Sequence, residues 1–253
     1  DGFYYIYKKI KKNIHLSSIS GGTDIISCFI LGNLYQPVYL GEIQNKGLAL
    51  DVKVFSDKGK SLKNSKGELV CVNPFPSMPL KFWDDKKDLK FKNAYFNRYK
   101  NIWHHGDYAE VKDTGGFIIY GRSDTTLNPG GVRLGTAEIY SEVEKFIEIK
   151  ESIVVGQPWK NDVRIILFII MNKNFKISDN LLKKIKQQIR NNASPRHVPK
   201  KIIVVKDIPR TKSGKIVELA VKNTIEGNKI KNKEALVNPK VLEEYKNLKE
   251  LKY

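Results

Sequence analysis

Cysteine is nearly absent from this chain of 253 residues: Cys28 and Cys71 are the whole supply. Two cysteines without metal-ligand spacing exclude a disulfide scaffold and a thiolate zinc site, so reduced thiols and a cytoplasmic setting are expected. Long apolar runs are missing too. The longest, Ile165 to Met171, is far too short to span a membrane, and no amino-terminal stretch has the charge, apolar core and small-residue cleavage pattern of a signal peptide. Histidine is scarce, and the adjacent pair His104-His105 points to opposite faces of a strand, which suits structural roles better than a metal site. Acidic residues are outnumbered, 27 Asp and Glu against 45 Lys and Arg, for a net charge of +18. That excess invites a nucleic-acid reading. The lysines, however, are spread over the whole length, and the aromatic–basic interleaving that stacks bases is lacking. Nucleic acid is therefore not the expected partner, and the field serves instead to gather anionic small molecules. The chain opens on Asp1 rather than methionine and reads as a fragment or processed product.

What is present is globular. Apolar residues at 41% and aromatics at 10% support buried cores and exclude a disordered chain. Residues 1–120 alternate short apolar runs with Gly, Asn and Asp turns, among them Leu69–Val72, Phe117–Tyr120 and the strand-like Val38–Leu40, and read as mostly β. Asp84 to Lys92 reads as a charged, exposed excursion. Beyond it a hairpin turn falls at Pro129-Gly130-Gly131, and a helix is predicted from Thr136 to Ile147 with Glu138 in its first turn. Buried strands are expected at 153–155 and 165–171, helical spacing at Leu181 to Ile189, and a further strand at Lys201 to Lys206. This order gives an α+β class: a mostly-β region over 1–123, then a small α+β domain over 124–253 ending in a lysine-rich tail with a short helix at 240–250.

Four strings carry chemistry. Pro209-Arg210-Thr211-Lys212-Ser213-Gly214-Lys215 delivers a lysine on a small-residue loop, and Gly214 lets the backbone approach a ligand closely. A phosphate-binding P-loop is excluded, because Lys215 is followed by Ile216 and no glycine stands five residues before Gly214. An ammonium there can stabilise charge building on phosphoryl oxygens, although Ser-Gly-Lys alone is also common in surface turns. Gly106-Asp107 and Gly121-Arg122 place a carboxylate able to accept from vicinal ribose hydroxyls and an arginine able to clamp ribose and carboxylate; singly, Gly-Asp is a turn. Ser20-Gly21-Gly22-Thr23-Asp24 ends in a hydroxyl and a carboxylate suited to a phosphate oxygen and Mg²⁺, or in a turn capped by Asp24.

Together with Ser18–Cys28, Gly41-Glu42-Ile43-Gln44, His105-Gly106-Asp107-Tyr108, Gly121-Arg122-Ser123-Asp124, Thr126–Pro129, Glu138-Ile139-Tyr140, Arg196–Pro199 and Val217–Lys222, these strings occur in the order seen in one superfamily. The chain resembles, over nearly its full length, the acyl-CoA synthetase, luciferase and peptide-synthetase adenylation superfamily. The resemblance implies an AMP-forming acid–thiol ligase using ATP, Mg²⁺ and coenzyme A, with acetoacetate as the acid and no membrane partner. It implies Lys215 as the catalytic lysine of adenylation and a nucleotide site of Gly22, Thr23, Asp107, Arg122 and Arg133. Asp24 then faces the metal, Asp124 is the interdomain hinge, Gly131 lines the thiol tunnel, and Arg190 contacts CoA phosphate.

Two departures from the superfamily pattern follow. Asp24 stands where the motif usually has Glu, one methylene shorter. Ser20 and Gly21 stand where acetate-activating relatives carry aromatic rings, so Gly21 predicts an acyl pocket roomier than acetyl requires. That fits acetoacetate and would equally fit butyrate. The loop that grips the β- and γ-phosphates belongs to an upstream segment of the same polypeptide, so this chain alone is expected to be inactive in adenylation. A non-catalytic remnant or basic binding module is the alternative from another class.

Overall fold

The structure is a computed structural model describing residues 2–230 and 233–252; the lysine run at 229–233 therefore lies partly outside the described residues. The chain divides into two compact units, the first ending at Ile119 and the second beginning at Tyr120. Helices and sheets are both present, in keeping with the α+β class.

The first unit opens with a short helix, α1 (Gly2–Tyr5). Strands β1 (Ser20–Gly22), β2 (Ser27–Leu31) and β3 (Asn45–Lys46) form a three-stranded antiparallel sheet in that order. A five-stranded sheet follows, ordered β5-β4-β6-β7-β8, from β4 (Val52–Phe55), β5 (Ser61–Leu62), β6 (Gly67–Cys71), β7 (Trp103–Val111) and β8 (Phe117–Arg122). Phe29, Ile30, Val54, Leu69, Trp103 and Ala109 are among the residues of one shared core, each large side chain stabilising the fold by roughly 1.5–3 kcal/mol.

Two sequence expectations fail here. Val38–Leu40 is not a strand: Tyr39 and Leu40 are exposed, and the segment turns at Gly41, whose φ is +83°. The Gln44 side-chain amide donates to the carbonyls of Gln36 and Pro37 at 2.7 and 3.2 Å, so a buried side chain satisfies backbone that a strand neighbour would otherwise take. Nor is the 84–92 excursion exposed throughout. It feeds α2 (Leu89–Tyr95), whose first free amides are capped by Asp85 accepting from Lys90 and Phe91 at 2.9 and 2.8 Å. The charges face outward while Phe91 is buried against the rings of Phe82, Tyr95, Phe96 and Trp103.

In the second unit α3 (Thr136–Val143) precedes the hairpin of β9 (Ile149–Trp159) and β10 (Asp162–Met171). The hairpin turns on Lys160 and Asn161, both with positive φ (48° and 62°), as a two-residue primed turn requires. α3 stops at Val143 rather than Ile147 because Asn172 donates to the carbonyls of Ile147 and Ile149, drawing the chain into β9. After α4 (Asp179–Asn192), β11 (Lys201–Val204) pairs parallel to β10, giving the order β11-β10-β9.

β10 is central and buried on both faces, which explains its nearly continuous apolar run. Its residues Ile165, Leu167 and Ile169 pack with α3 and α4. Ile166, Phe168 and Ile170 face α5 (Glu218–Ile225) and the tail, where Tyr245 and Leu251 are buried. The expected helix at 240–250 appears as 3₁₀ turns at Pro239–Tyr245 and Lys249–Leu251. No helix among the described residues is long and apolar enough to cross a membrane.

Candidate functional site

In the first unit the β1–β2 hairpin meets a distortion of β7. Glu68 of β6 pairs with Tyr108 and Val70 with His104, so Leu69 alone lies opposite His105, Gly106 and Asp107. Such bulges re-aim side chains, and Gly106 supplies the positive φ of 81°. His105 is buried, its ring edge-on to Phe29 at 4.7 Å. The Trp103 indole N–H donates to His105 Nδ1 at 3.4 Å, leaving His105 Nε2 facing buried Asp107 at 3.7 Å. His104 lies elsewhere, with Glu68 at 2.8 Å. Neither histidine joins a metal cluster, and no group of three or more His, Cys, Asp or Glu able to hold a metal occurs among the described residues.

The hairpin's two glycines are fixed by these neighbours. A Cβ on Gly21 would fall 2.3 Å from the Ser27 carbonyl oxygen and 2.5 Å from Cys28 Cα; on Gly22 it would fall 2.8 Å from His105 Cε1. The missing side chain at Gly21 thus has a packing cause in its own hairpin, independent of any acyl group. Thr23 and Asp24 begin a 3₁₀ turn over Thr23–Ile25 that ends at Ile26, an exposed β-branched residue with φ +49°, a strained conformation. Gly22 to Asp24 are thereby held beside the His105–Asp107 bulge.

Asp24 also accepts a short hydrogen bond from Tyr95 Oη. The Tyr95 ring stacks on Trp103 at 3.7 Å and 12°, so α2 places a hydroxyl on the carboxylate that the sequence assigns to metal. Sequence reasoning passed over Tyr95. The available signal was the aromatic spacing of Phe91, Tyr95 and Phe96 inside a lysine-rich stretch.

The second unit carries the remaining residues. Arg122, closing β8, has its Nε 3.6 Å from Asp124 Oδ1, with both side chains about half exposed (51% and 49%). The chain turns here, with Thr125 N and Oγ1 both donating to the Arg122 carbonyl at 3.2 Å. Leu127 and Leu134 then pair across a loop whose tip is Pro129–Gly131, with φ of 60° at Gly130 and 75° at Gly131. The Gly130 amide donates to Asp162 at 2.7 Å, and with the Val163 amide it holds that carboxyl below the usual aspartate range. Arg133, half-buried, is on the returning arm of this loop. Glu138 of α3 reaches back to the Gly135 amide at 3.2 Å, and His197 Nε2 lies 3.3 Å from the same carboxylate.

Arg190 is exposed in the last turn of α4. Lys215 sits at the end of a tight hairpin in which Arg210 pairs with Ile216. The Thr211 N–H donates to the Lys215 carbonyl at 2.9 Å, and the Lys215 N–H donates to Thr211 Oγ1 at 3.1 Å. Gly214 turns the hairpin with φ +84° and open space around it. The structure therefore gathers Gly21, Gly22, Thr23, Asp24 and Asp107 in one unit. It carries Arg122, Asp124, Gly131, Arg133, Arg190 and Lys215 on the other.

The second unit thus carries a lysine on a small-residue hairpin, and the first a glycine hairpin beside a bulge that bears a carboxylate. Residues 138–215 match the family described as the AMP-binding enzyme C-terminal domain, and the chain belongs to the adenylate-forming superfamily. Over its whole length it is 55% identical to the acetoacetyl-coenzyme A synthetase of Rhizobium meliloti, of which it spans 39%. It is 47% identical to the acetoacetyl-CoA synthetase of Xenopus tropicalis over 98% of this chain and 37% of that protein. The solved acetoacetyl-CoA synthetase from Streptomyces lividans superposes with a TM-score of 0.92 at 37% identity, covering 100% of this chain and 39% of that one.

Proposed function

We propose that this chain is part of an ATP-dependent acetoacetate–CoA ligase working through an acyl-adenylate. The observation that carries the reading is the full-length similarity to acetoacetyl-CoA synthetases, at 55% identity to one and a TM-score of 0.92 to another. In the first step a carboxylate oxygen of acetoacetate attacks the α-phosphorus of ATP, and the bond to pyrophosphate breaks. The Lys215 ammonium offsets charge on the phosphoryl oxygens. Asp107, on its bulge, accepts from the ribose hydroxyls. Arg122 supports the ribose side, while Arg133, Gly22 and Thr23 attend the phosphates. Gly21 borders the acyl group.

The donor set at Asp24 fits Mg²⁺. Magnesium favours hard oxygen ligands and is commonly held by one or two carboxylates plus substrate phosphates. A single carboxylate beside Thr23 therefore suffices, and Asp24 and Thr23 would hold the ion on the nucleotide side. When bound it supplies charge neutralisation of the phosphates.

In the second step the CoA thiolate attacks the adenylate carbonyl and AMP leaves. The turn at Asp124 is the hinge that exchanges Lys215 for the Gly131 loop between the two steps, and Arg190 meets a CoA phosphate. This piece by itself is inactive in adenylation, because it spans 39% of its Rhizobium relative's length. The test is acid-dependent ATP–pyrophosphate exchange by the complete reading frame across acetate, butyrate and acetoacetate. Exchange strongest with acetoacetate supports the reading; preference for butyrate moves the substrate, and no exchange with any short acid overturns the ligase.

A further inference from the structure

The segment after α5 turns back onto the lysine hairpin. Thr211 pairs with Leu236, and the Val237 N–H donates to the Arg210 carbonyl at 2.9 Å. The 209–211 arm is thus bonded on one edge by its own return arm, through Val217 N to the Pro209 carbonyl at 3.0 Å, and on the other by residues 236–238. Half-buried Asn238 finishes this edge. Its Oδ1 accepts from the Arg210 N–H at 3.0 Å, and its Nδ2 donates to Asp207 Oδ2 at 2.6 Å and to the Ile208 carbonyl at 2.9 Å.

An asparagine amide offers two donors and an acceptor on one short stem, and all are used on the residues entering the hairpin. Proline at 209 has no N–H, so a regular ladder cannot form through this stretch. The side chain of Asn238 supplies what the ladder lacks. The tail does not depend on Asn238 for its own docking. Leu242, Tyr245 and Leu251 are buried, Tyr245 Oη donates to the Asp207 carbonyl at 2.8 Å, and Arg164 donates to the Leu251 carbonyl at 2.5 Å.

We infer that Asn238 is a positioning residue for Lys215: it locks the arm of the hairpin from which the catalytic lysine projects, so the tail sets the lysine's aim. The role in catalysis rests on the ligase reading above; the mechanical role does not. Adenylation is sensitive to such aim, since a displacement of about 1 Å can cost about a hundredfold in rate.

The test has two arms. In the first, amide hydrogen exchange is measured on this chain with Asn238→Ala. Exchange at Arg210, Thr211 and Lys215 is expected to quicken by about tenfold or more, with the β10 amides unchanged. Unchanged hairpin amides would overturn the inference, and so would quickening throughout the unit, which would make Asn238 merely structural. In the second, the complete protein carrying Asn238→Ala is expected to lose about tenfold or more in kcat for acetoacetate-dependent pyrophosphate exchange at unaltered KM. Thioester formation from supplied acetoacetyl-adenylate should be retained; equal loss in both half-reactions contradicts positioning. If the unaltered protein shows no pyrophosphate exchange, the ligase reading fails, and the hydrogen-exchange arm alone decides whether Asn238 locks the hairpin.

Discussion

Two glycine-bearing hairpins in this molecule use the same residue for opposite reasons. At Gly21 the backbone is ordinary and the space is absent, with a Cβ 2.3 Å from the opposing carbonyl oxygen. At Gly214 the space is open and the backbone is unusual, with φ +84°. The first hairpin is therefore rigid by contact: it is pressed against β2 and His105, and it holds Thr23 and Asp24 against the β7 bulge. The second is set by hydrogen bonds, with its lysine exposed and its arms tied by Thr211 and Asn238. Under the mechanism we propose, ligands held still at the first and a lysine that enters and leaves at the second call for these two kinds of hairpin.

The comparison can be broken most severely at Gly21. Gly21→Ala forces β1 and β2 apart, and a loss of about 3 kcal/mol should appear in urea unfolding of the first unit, while the second unit's transition stays in place. Gly214→Ala meets no atoms and should cost only about 1–2 kcal/mol, through left-handed backbone strain. It should be read in the second unit's unfolding, and equal costs at both glycines would erase the distinction. Tyr95→Phe keeps the stack on Trp103 and removes the hydrogen bond to Asp24. Stability should move by less than about 1 kcal/mol, while Mn²⁺ affinity of the complete protein with ATP weakens by about tenfold.

The smallest effect concerns the second unit's interior, where stability should respond to acid through α3 and α4 rather than through the lysine hairpin. Burial pushes the Glu142 carboxyl up, but hydrogen bonds from Lys145, Asn192 and Gln188 outweigh it and hold it below the usual glutamate range. A carboxyl depressed in the folded state stabilises fully above its unfolded value. That stabilisation is lost as pH falls from about 4.5 through the lower folded value. Glu142→Gln should flatten this acid limb, as measured by thermal unfolding between neutral and acid pH.

Much of this was legible because it depends on local chemistry. The β10 run announced a buried strand, the Pro129-Gly130-Gly131 loop announced its turn, and the spacing of Leu181, Ile185 and Ile189 announced α4. The motif strings identified the superfamily. What stayed hidden depended on distant partners. Val38–Leu40 has strand composition, but Gln44 ties down the carbonyls of Gln36 and Pro37 just ahead of it, and the chain turns at Gly41. Phe91 looked like part of a charged loop until Trp103 gave it a surface. The tail read as a lysine-rich appendage, because lysines dominate its composition while Leu242, Tyr245 and Leu251 do its packing. Gly21 suggested a vacated pocket wall, and only the register of β1 on β2 reveals the steric cause.

The central claim is that Lys215 serves one half-reaction and not the other. The direct measurement is the pair of half-reactions in the complete protein with Lys215→Ala. Acetoacetate-dependent pyrophosphate exchange should fall by about a hundredfold or more, while CoA thioester formation from supplied acetoacetyl-adenylate continues near its unaltered rate. Comparable loss of both, or survival of the exchange, would contradict the account.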